Sequence, residues 1–329
     1  MNGSKQVKHF FLINPAAGKG EAQKTLRTRI SEAADKKGID CEIYETTATG
    51  DAERKIKEVC CAASGDETIR FYACGGDGTL NDVANAIVGY DFAELAVIPV
   101  GTGNDFCRNF GSHEIFADIE AQIDGRAIEI DALKYNDRYC VNIMNMGFDC
   151  SVVETTSKLK RRKWISSGFA YVAGVICELV RMPGVKVRNL LIDGRKIDRD
   201  KMLLCSMANG CFYGGGFKPA PRAYVDDAIL DIAIVKPVSR IAFISMVGGY
   251  QKGTYIESKR TMKYVLCDKC KTVDIDFEGE QSICVDGEIK KCEKLHVEVA
   301  PKQFRFSIPR GIEFTPFEDK KEAPAEVGV

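Results

Sequence analysis

The sequence predicts a chain in two parts, an α/β N-terminal domain with a parallel sheet and a β-rich, sandwich-like C-terminal domain. Three observations carry this expectation. From residue 7 to about 131, short apolar runs alternate with amphipathic patterns of helix length. Past Ile130-Asp131 the pattern changes to short alternating runs punctuated by turns such as Asp193-Gly194 and Asp286-Gly287. Three glycine-bearing loops in the first part each follow a buried-looking run, and open parallel sheets bind ligands beyond the carboxyl ends of their strands.

In the first part, strands are expected near 7–13, 40–44, 68–74 and 95–100, with helices near 21–37, 51–62, 80–88 and 115–123. Short loops between them imply helices on both faces of a parallel sheet. In the second part, strands are expected near 139–146, 186–192, 202–208, 229–235, 263–266, 272–277, 283–285 and 295–299, with helical insertions near 163–181 and 240–252. A last strand near 304–308 precedes a return to the first domain. The expected domains are therefore 1–131, completed by 309–318, and 132–308, with a charged tail at 319–329 that is expected to be disordered.

A chain of 329 residues is long enough for two cores, and its 45% hydrophobic and 28% charged residues are those of a globular protein. A net charge of −1 leaves no global field to attract nucleic acid, so no nucleic-acid partner is expected. The first residues enter a strand with no signal-peptide or lipidation pattern. The nearest approach to a spanning segment, from Trp164 to Val180, is interrupted by Ser166, Ser167, Gly168 and Glu178. A cytoplasmic protein is expected. Many of the 14 cysteines fall in apolar elements (Cys74, Cys140, Cys177, Cys205), where a thiol serves as a small hydrophobe. Cys267, Cys270, Cys284 and Cys292 admit a zinc reading, but the second pair lacks tight spacing and free thiols are expected.

The strongest chemical signal is Gly75-Gly76-Asp77-Gly78-Thr79-Leu80-Asn81-Asp82, placed between a strand and a helix. Glycines let amide groups approach an anion closely, and the following helix adds the positive end of its dipole. Asp77 makes sense there if a divalent cation bridges its carboxylate to phosphate oxygens. Asn14-Pro15-Ala16-Ala17-Gly18-Lys19-Gly20 and Gly101-Thr102-Gly103-Asn104-Asp105-Phe106 are the companion loops. None of the three fits the Walker pattern or the dinucleotide fingerprint.

This ordered set resembles the soluble diacylglycerol kinase catalytic family, which includes bacterial lipid kinases and the sphingosine and ceramide kinases. The resemblance continues through Gly214-Gly215-Gly216, Asp226-Asp227 and Asp286-Gly287-Glu288 to about residue 309. The Gly75–Thr79 piece alone is shared with NAD kinases and phosphofructokinases, whose fold the first domain is expected to have. The resemblance implies an ATP- and Mg²⁺-dependent kinase acting on a lipid hydroxyl, most simply diacylglycerol to phosphatidic acid in phospholipid biosynthesis. It implies that Asn14, Pro15, Gly18 and Gly20 line the nucleotide, that Thr46 contacts it, and that Thr102 and Asn104 close the cleft. Gly75, Gly76, Asp77, Gly78, Thr79, Asn81 and Asp82 would wrap the phosphates. Asp77, Asp105 and Asp131 would share the Mg²⁺ network. Glu288 would take the acceptor's proton, brought up by domain closure, with Asp286 as a neighbouring support.

Two features keep alternatives open. In the family, the segment matching Asp226-Asp227-Ala228 usually ends in glycine, and some members hold a structural Mg²⁺ at the positions of Tyr224, Asp227 and Ile229. Ala228 stands in place of that glycine, so an acidic turn without metal is the other reading. Lys158, Lys160, Arg161, Arg162 and Lys163 precede Trp164 and an apolar helix. They read either as a solvated basic turn or as the contact of a peripheral enzyme with the anionic inner face of a membrane. The rival functions are an NAD kinase-like enzyme and a non-catalytic nucleotide- or lipid-binding regulator. The Asn14-Pro15 loop and Glu288 argue against the first, and the presence of both Asp77 and Glu288 against the second. A membrane lipid and, in a homodimer, a second copy of the chain are the partners this reading admits.

Overall fold

The computed structural model describes residues 7–18, 21–48, 50–63, 67–100, 103–111, 113–160 and 167–322, so Gly20, Gly101, Thr102 and residues 161–166 lie outside it. The chain divides into two compact units, one of 1–132 with 224–227 and 301–329, the other of 133–223 with 228–300.

The first unit runs β1 (Val7–Ile13), α1 (Glu21–Lys37), β2 (Cys41–Glu45), α2 (Asp51–Ala62), β3 (Thr68–Gly75), α3 (Asp77–Ala86) and β4 (Ala93–Pro99). A six-residue 3₁₀ segment, Asp105–Phe110, and the short helices α4 (His113–Phe116) and α5 (Ile119–Ile123) follow, then β5 (Arg126–Tyr135). The expected single helix at 115–123 is two, because Asp118 caps the second by accepting the Ala121 N–H at 3.1 Å. β1 pairs in parallel with β2 and β3, and β3 with β4. The end of the chain's longest strand joins this sheet in parallel beside β4, with Phe306 opposite Leu95. β3 and β4 are buried at every position, which is why they read as continuous apolar runs rather than alternating ones. Phe11, Leu26, Ile30, Tyr72 and Ile98 form the core against α1 and α5. A buried Arg70–Glu94 pair at 2.8 Å, extended by Arg305 at 2.7 Å, ties β3, β4 and the returning strand together.

The second unit contains β6 (Arg138–Cys140), β7 (Ile143–Gly147), α6 (Phe148–Lys160), α7 (Ser167–Arg181), β8 (Val185–Ile192), β9 (Arg195–Lys196), β10 (Lys201–Met202) and β11 (Leu204–Ala208). After β12 (Leu230–Val235) and α8 (Arg240–Lys252) come α9 (Lys259–Met262), β13 (Val265–Cys270), β14 (Thr272–Val285) and β15 (Glu288–Ile308). β13, β12, β11, β7 and β14 pair antiparallel in that order, and β14 also pairs with β8 and β15. β14 changes register between Asp276 and Gln281, so one bent strand serves β8 with its first half and β7 with its second. Its buried clusters include one around Met144, Leu190, Ile232 and Val297, another where α8 packs Met246 and Tyr250 against Leu204 and Val235, and a smaller one of Ile143, Ala208, Ala220 and Ala223.

Four expectations are corrected. The strand expected at 139–146 is interrupted at Val141-Asn142, for a reason given below. Helix α6 was not foreseen. Cys177 is exposed rather than packed as a hydrophobe, whereas Cys74, Cys140 and Cys205 are buried. The tail expected to be disordered begins as a short helix, α10 (Phe317–Glu322), whose Phe317 N–H donates to Asp226 at 2.8 Å. Residues 323–329 lie outside the described residues.

Candidate active site

The in-register pairing of β1, β3 and β4 sets Ile13 beside Cys74 and Gly75 beside Pro99. The loops that follow therefore leave the sheet side by side. Backbone hydrogen bonds link them: Thr46 N–H to Ile13 O at 2.9 Å, Asn14 N–H to Cys74 O at 3.1 Å, and Val100 N–H to Gly75 O at 3.0 Å. Asn14 then reaches across, its Nδ2 donating to Thr79 Oγ1 at 3.0 Å while its Oδ1 accepts the Ala16 N–H at 2.9 Å. Gly18 has φ +75°, and a Cβ there would sit 2.5 Å from Val100 O, so the first loop crosses the end of β4 only because this residue is glycine.

Helix α3 starts at Asp77, three residues earlier than its apolar pattern indicates, with Gly76 as an extended N-cap. Asp77, Gly78 and Thr79 are thus its first turn, where backbone N–H groups lack intrahelical acceptors. Thr79 and Asn81 are buried, and Asn81 accepts from Asn85 Nδ2 at its backbone and side-chain oxygens. Asp82 is half-buried. Asn104 is buried in a left-handed conformation, φ 48°, with Nδ2 3.4 Å from His113 Nε2.

Two carboxylates converge here. A Cβ built on Gly103 would lie 2.9 Å from Asp77 Oδ2 and 3.8 Å from Asp105 Oδ2. Asp77 Oδ1 accepts the Phe106 N–H at 3.4 Å, and Asp105 Oδ1 accepts from Arg108 Nε at 3.1 Å. The Cys107 thiol feels both: burial raises its pKa most, and the charges of Asp77 and Asp105 add to the rise. Asp131, in β5, is 1% exposed and its Oδ1 accepts the Lys302 N–H at 2.8 Å, so it anchors the returning strand with one oxygen.

Arg108 and Asp51 were not singled out from the sequence. Arg108 stands three residues past Asp105, a spacing that places the two on one face of a helical turn. Asp51 opens α2, and it holds the loop carrying Thr46 by accepting the Thr47 N–H at 2.8 Å and the Thr47 hydroxyl at 3.0 Å. The Thr47 amide, then Arg54, holds its carboxyl well below the usual range.

In the second unit, Asp286-Gly287 joins β14 to β15 with φ 44° and 89° at its two positions and Val285 opposite Glu288. Positive φ at both central residues is the tight turn that matches the twist of paired strands. Asp286 also does more. Its Oδ2 accepts the Val141 N–H at 2.7 Å, and its Oδ1 accepts the N–H groups of Asn142 at 3.0 Å and Ile143 at 3.1 Å. These amides have left the β5–β6 ladder, and that is why the expected strand breaks there. Asp286, 6% exposed, is an anchor that fixes the turn and with it the first residue beyond it. Glu288 is that residue; its side chain is 36% exposed and its Oε2 lies 2.8 Å from Lys290 Nζ.

Whether the donors fit a divalent cation can be asked of each set. Asp77 and Asp105 meet the pattern of Mg²⁺, which takes one or two protein carboxylates and fills its shell with phosphates and water. At the second set, Asp226 turns its Oδ2 to Phe317, and the Tyr224 ring packs on Phe317 at 4.9 Å with Lys320 Nζ 4.4 Å from its centre. Ala228 has φ +55°, so it keeps the left-handed angle expected of the glycine it replaces. Of the positions the resemblance names here, Tyr224 is thus engaged with Phe317 and Lys320. Among the described residues no three His, Cys, Asp or Glu side chains form a metal-binding group.

Comparison with known proteins bears on this constellation. Residues 8–135 match the diacylglycerol kinase catalytic domain, and residues 142–307 match the YegS C-terminal NAD kinase beta sandwich-like domain. The chain is 33% identical, over 66% of its length and 71% of the relative's, to a probable lipid kinase YegS-like of Enterobacter sp. (strain 638). It is 30% identical to the diacylglycerol kinase of Staphylococcus carnosus (strain TM300), over 84% and 87% of the two chains. A crystal structure of a diacylglycerol kinase from Bacillus anthracis str. Sterne shares the fold, with a TM-score of 0.66 at 21% identity over 93% and 98% of the chains. With both domain models matched in order over nearly the whole chain, the protein belongs to the diacylglycerol kinase family and is a lipid kinase.

Proposed function

We propose that this lipid kinase transfers the γ-phosphoryl group of ATP to the free hydroxyl of diacylglycerol, producing phosphatidic acid and ADP. The convergence of Asp77 and Asp105 at the start of α3, beside Gly103, is the observation that carries the reading. It pairs anion-binding amides with carboxylates, which suits a phosphate held together with a cation.

The N–H groups of the first turn of α3 hold the phosphates, and Asn14 and Gly18 shape the neighbouring wall. Mg²⁺, when bound, would neutralise the phosphate charge, and Asp77 and Asp105 are the residues that would hold it, directly or through water. The acceptor oxygen forms its bond to the γ-phosphorus as the bond to the β-phosphate oxygen breaks, and Glu288 takes the hydroxyl proton. Asp286 contributes by fixing the backbone from which Glu288 projects. No helix of the described residues is long and apolar enough to cross a membrane. Diacylglycerol is itself a membrane lipid, and on this reading the kinase meets it at the surface of an anionic bilayer.

The test is transfer from labelled ATP to a panel of micellar lipids, with Mg²⁺ present and then chelated, and the product identified by mass. Phosphatidic acid from diacylglycerol is the expected product. Transfer only to another lipid, or to a soluble dinucleotide, overturns the choice of acceptor.

A further inference from the structure

Five large hydrophobic side chains among the described residues are exposed, and the four most exposed lie on two neighbouring helices. Ile176 (56% exposed) and Val180 (64%) lie one turn apart near the end of α7. Ile241 (83%) and Ile244 (58%) lie one turn apart at the start of α8. Arg240 joins the two ends, its Nε donating to Leu179 O at 3.1 Å and its second guanidine nitrogen to Val180 O. The inner face of α8 is committed to the core through Met246 and Tyr250, so Ile241 and Ile244 have no place in it.

We infer that this α7–α8 tip is the surface that docks on an anionic lipid bilayer, with Ile176, Val180, Ile241 and Ile244 entering the boundary between headgroups and acyl chains. The inference rests on the reading of the substrate as a membrane lipid. Charge favours this occupant over a second copy of the chain or a protein partner. Helix α8 contains no acidic residue, and the lead-in to it carries the exposed Lys236. Arg181 projects from the end of α7 with its side chain 69% exposed, while the one acid of that helix, Glu178, is buried against Arg181 and the Thr155 hydroxyl. The patch is thus apolar at its centre and cationic at its rim, the pattern of an interfacial helix pair on anionic lipid.

The experiment compares the whole chain with an Ile241→Ser/Ile244→Ser variant, whose changes are on the surface. Co-sedimentation is measured with phosphatidylcholine vesicles, with and without phosphatidylglycerol. The parent should bind vesicles containing phosphatidylglycerol, and the variant should bind them at least ~10-fold more weakly, since each buried isoleucine contributes that much or more. Phosphorylation of diacylglycerol embedded in those vesicles should fall in parallel, while phosphorylation of a short-chain diacylglycerol in solution stays at the parent rate. Ser245→Trp, on the same outer face, should tighten binding and shift its emission to the blue on adding vesicles. Equal vesicle binding by parent and double variant overturns the docking surface while leaving the lipid acceptor intact. A parent that ignores vesicles yet phosphorylates soluble diacylglycerol also overturns it. Loss of self-association in the variant, with vesicle binding unchanged, reassigns the patch to a second copy. Absence of transfer to any diacylglycerol is a failure of the acceptor assignment instead.

Discussion

Asp286 Oδ2 accepts the backbone N–H of Val141 at 2.7 Å, across 145 positions of sequence, and its other oxygen takes the next two amides of the same segment. One carboxylate therefore closes the hairpin that presents Glu288 and stitches it to the entry of β7. Asp286→Ala should leave these buried donors without an acceptor, at a cost of ~1–3 kcal/mol for each group left unsatisfied. A fall in thermal midpoint of many degrees is expected, with Asp286→Asn intermediate. A midpoint unchanged in Asp286→Ala would show that the anchor contributes nothing.

Glu288 separates from Asp286 in this respect. Its side chain is part-exposed and pairs with the neighbouring Lys290, so Glu288→Gln should fold and melt like the parent. On the proposed mechanism, Glu288→Gln removes the base and should lower the rate of transfer ~10²- to 10⁴-fold at saturating ATP, with nucleotide affinity nearly unchanged. Parent-like turnover in the variant would reduce the motif to a hairpin turn.

Asp77→Ala removes one of the two carboxylates that meet beside Gly103. On the proposed mechanism, transfer should drop on the order of 10³-fold or more, because one of the two carboxylates that would hold Mg²⁺ is gone. Asp105→Ala should behave in the same direction and should also release Arg108. Titration of Mg²⁺ against rate gives the check: a variant whose Mg²⁺ dependence matches the parent's takes Asp77 out of the cation network.

Stability should carry a pH signature from the first unit. His9 is buried in β1, with Nδ1 2.7 Å from the Tyr72 hydroxyl, and burial, then the charge of Arg70, lowers its pKa from 6.5 to about 4. The folded state therefore keeps the ring neutral where the unfolded chain would protonate it. The stabilisation is full above pH 6.5 and declines as pH falls toward 4, by up to roughly 3 kcal/mol. Urea unfolding of the parent and His9→Gln across this window should show the parent losing its advantage on acidification. Parallel curves would mean that His9 does not titrate with folding.

Much of the first unit was legible in the residues themselves. Buried parallel strands read as apolar runs, glycines mark the loops at their ends, and the apolar rows of α1 and α2 have helical spacing. Those signals are local, and hydrophobic periodicity and turn chemistry act over a few residues. The start of α3 was misread because Asp77, Gly78 and Thr79 carry no apolar pattern and form its first turn. Helix α6 was missed because it begins directly after β7 with no intervening loop, and its Val152, Val153, Thr155 and Thr156 are β-branched, a class that favours strands.

What only the tertiary structure decided is where the side chains of distant segments meet. The sequence shows an Asp-Gly turn before Glu288, but not that its carboxylate interrupts a strand 145 residues away. It shows Asp77 and Asp105, but their approach depends on the register of β3 with β4 and on a glycine between them. It shows apolar helices at α7 and α8, but which of their isoleucines the core leaves outside depends on how the helices pack. The order of elements and the chemistry of each loop are determined by short-range interactions encoded residue by residue. Convergence depends on long-range pairing and packing, which no window of the sequence contains.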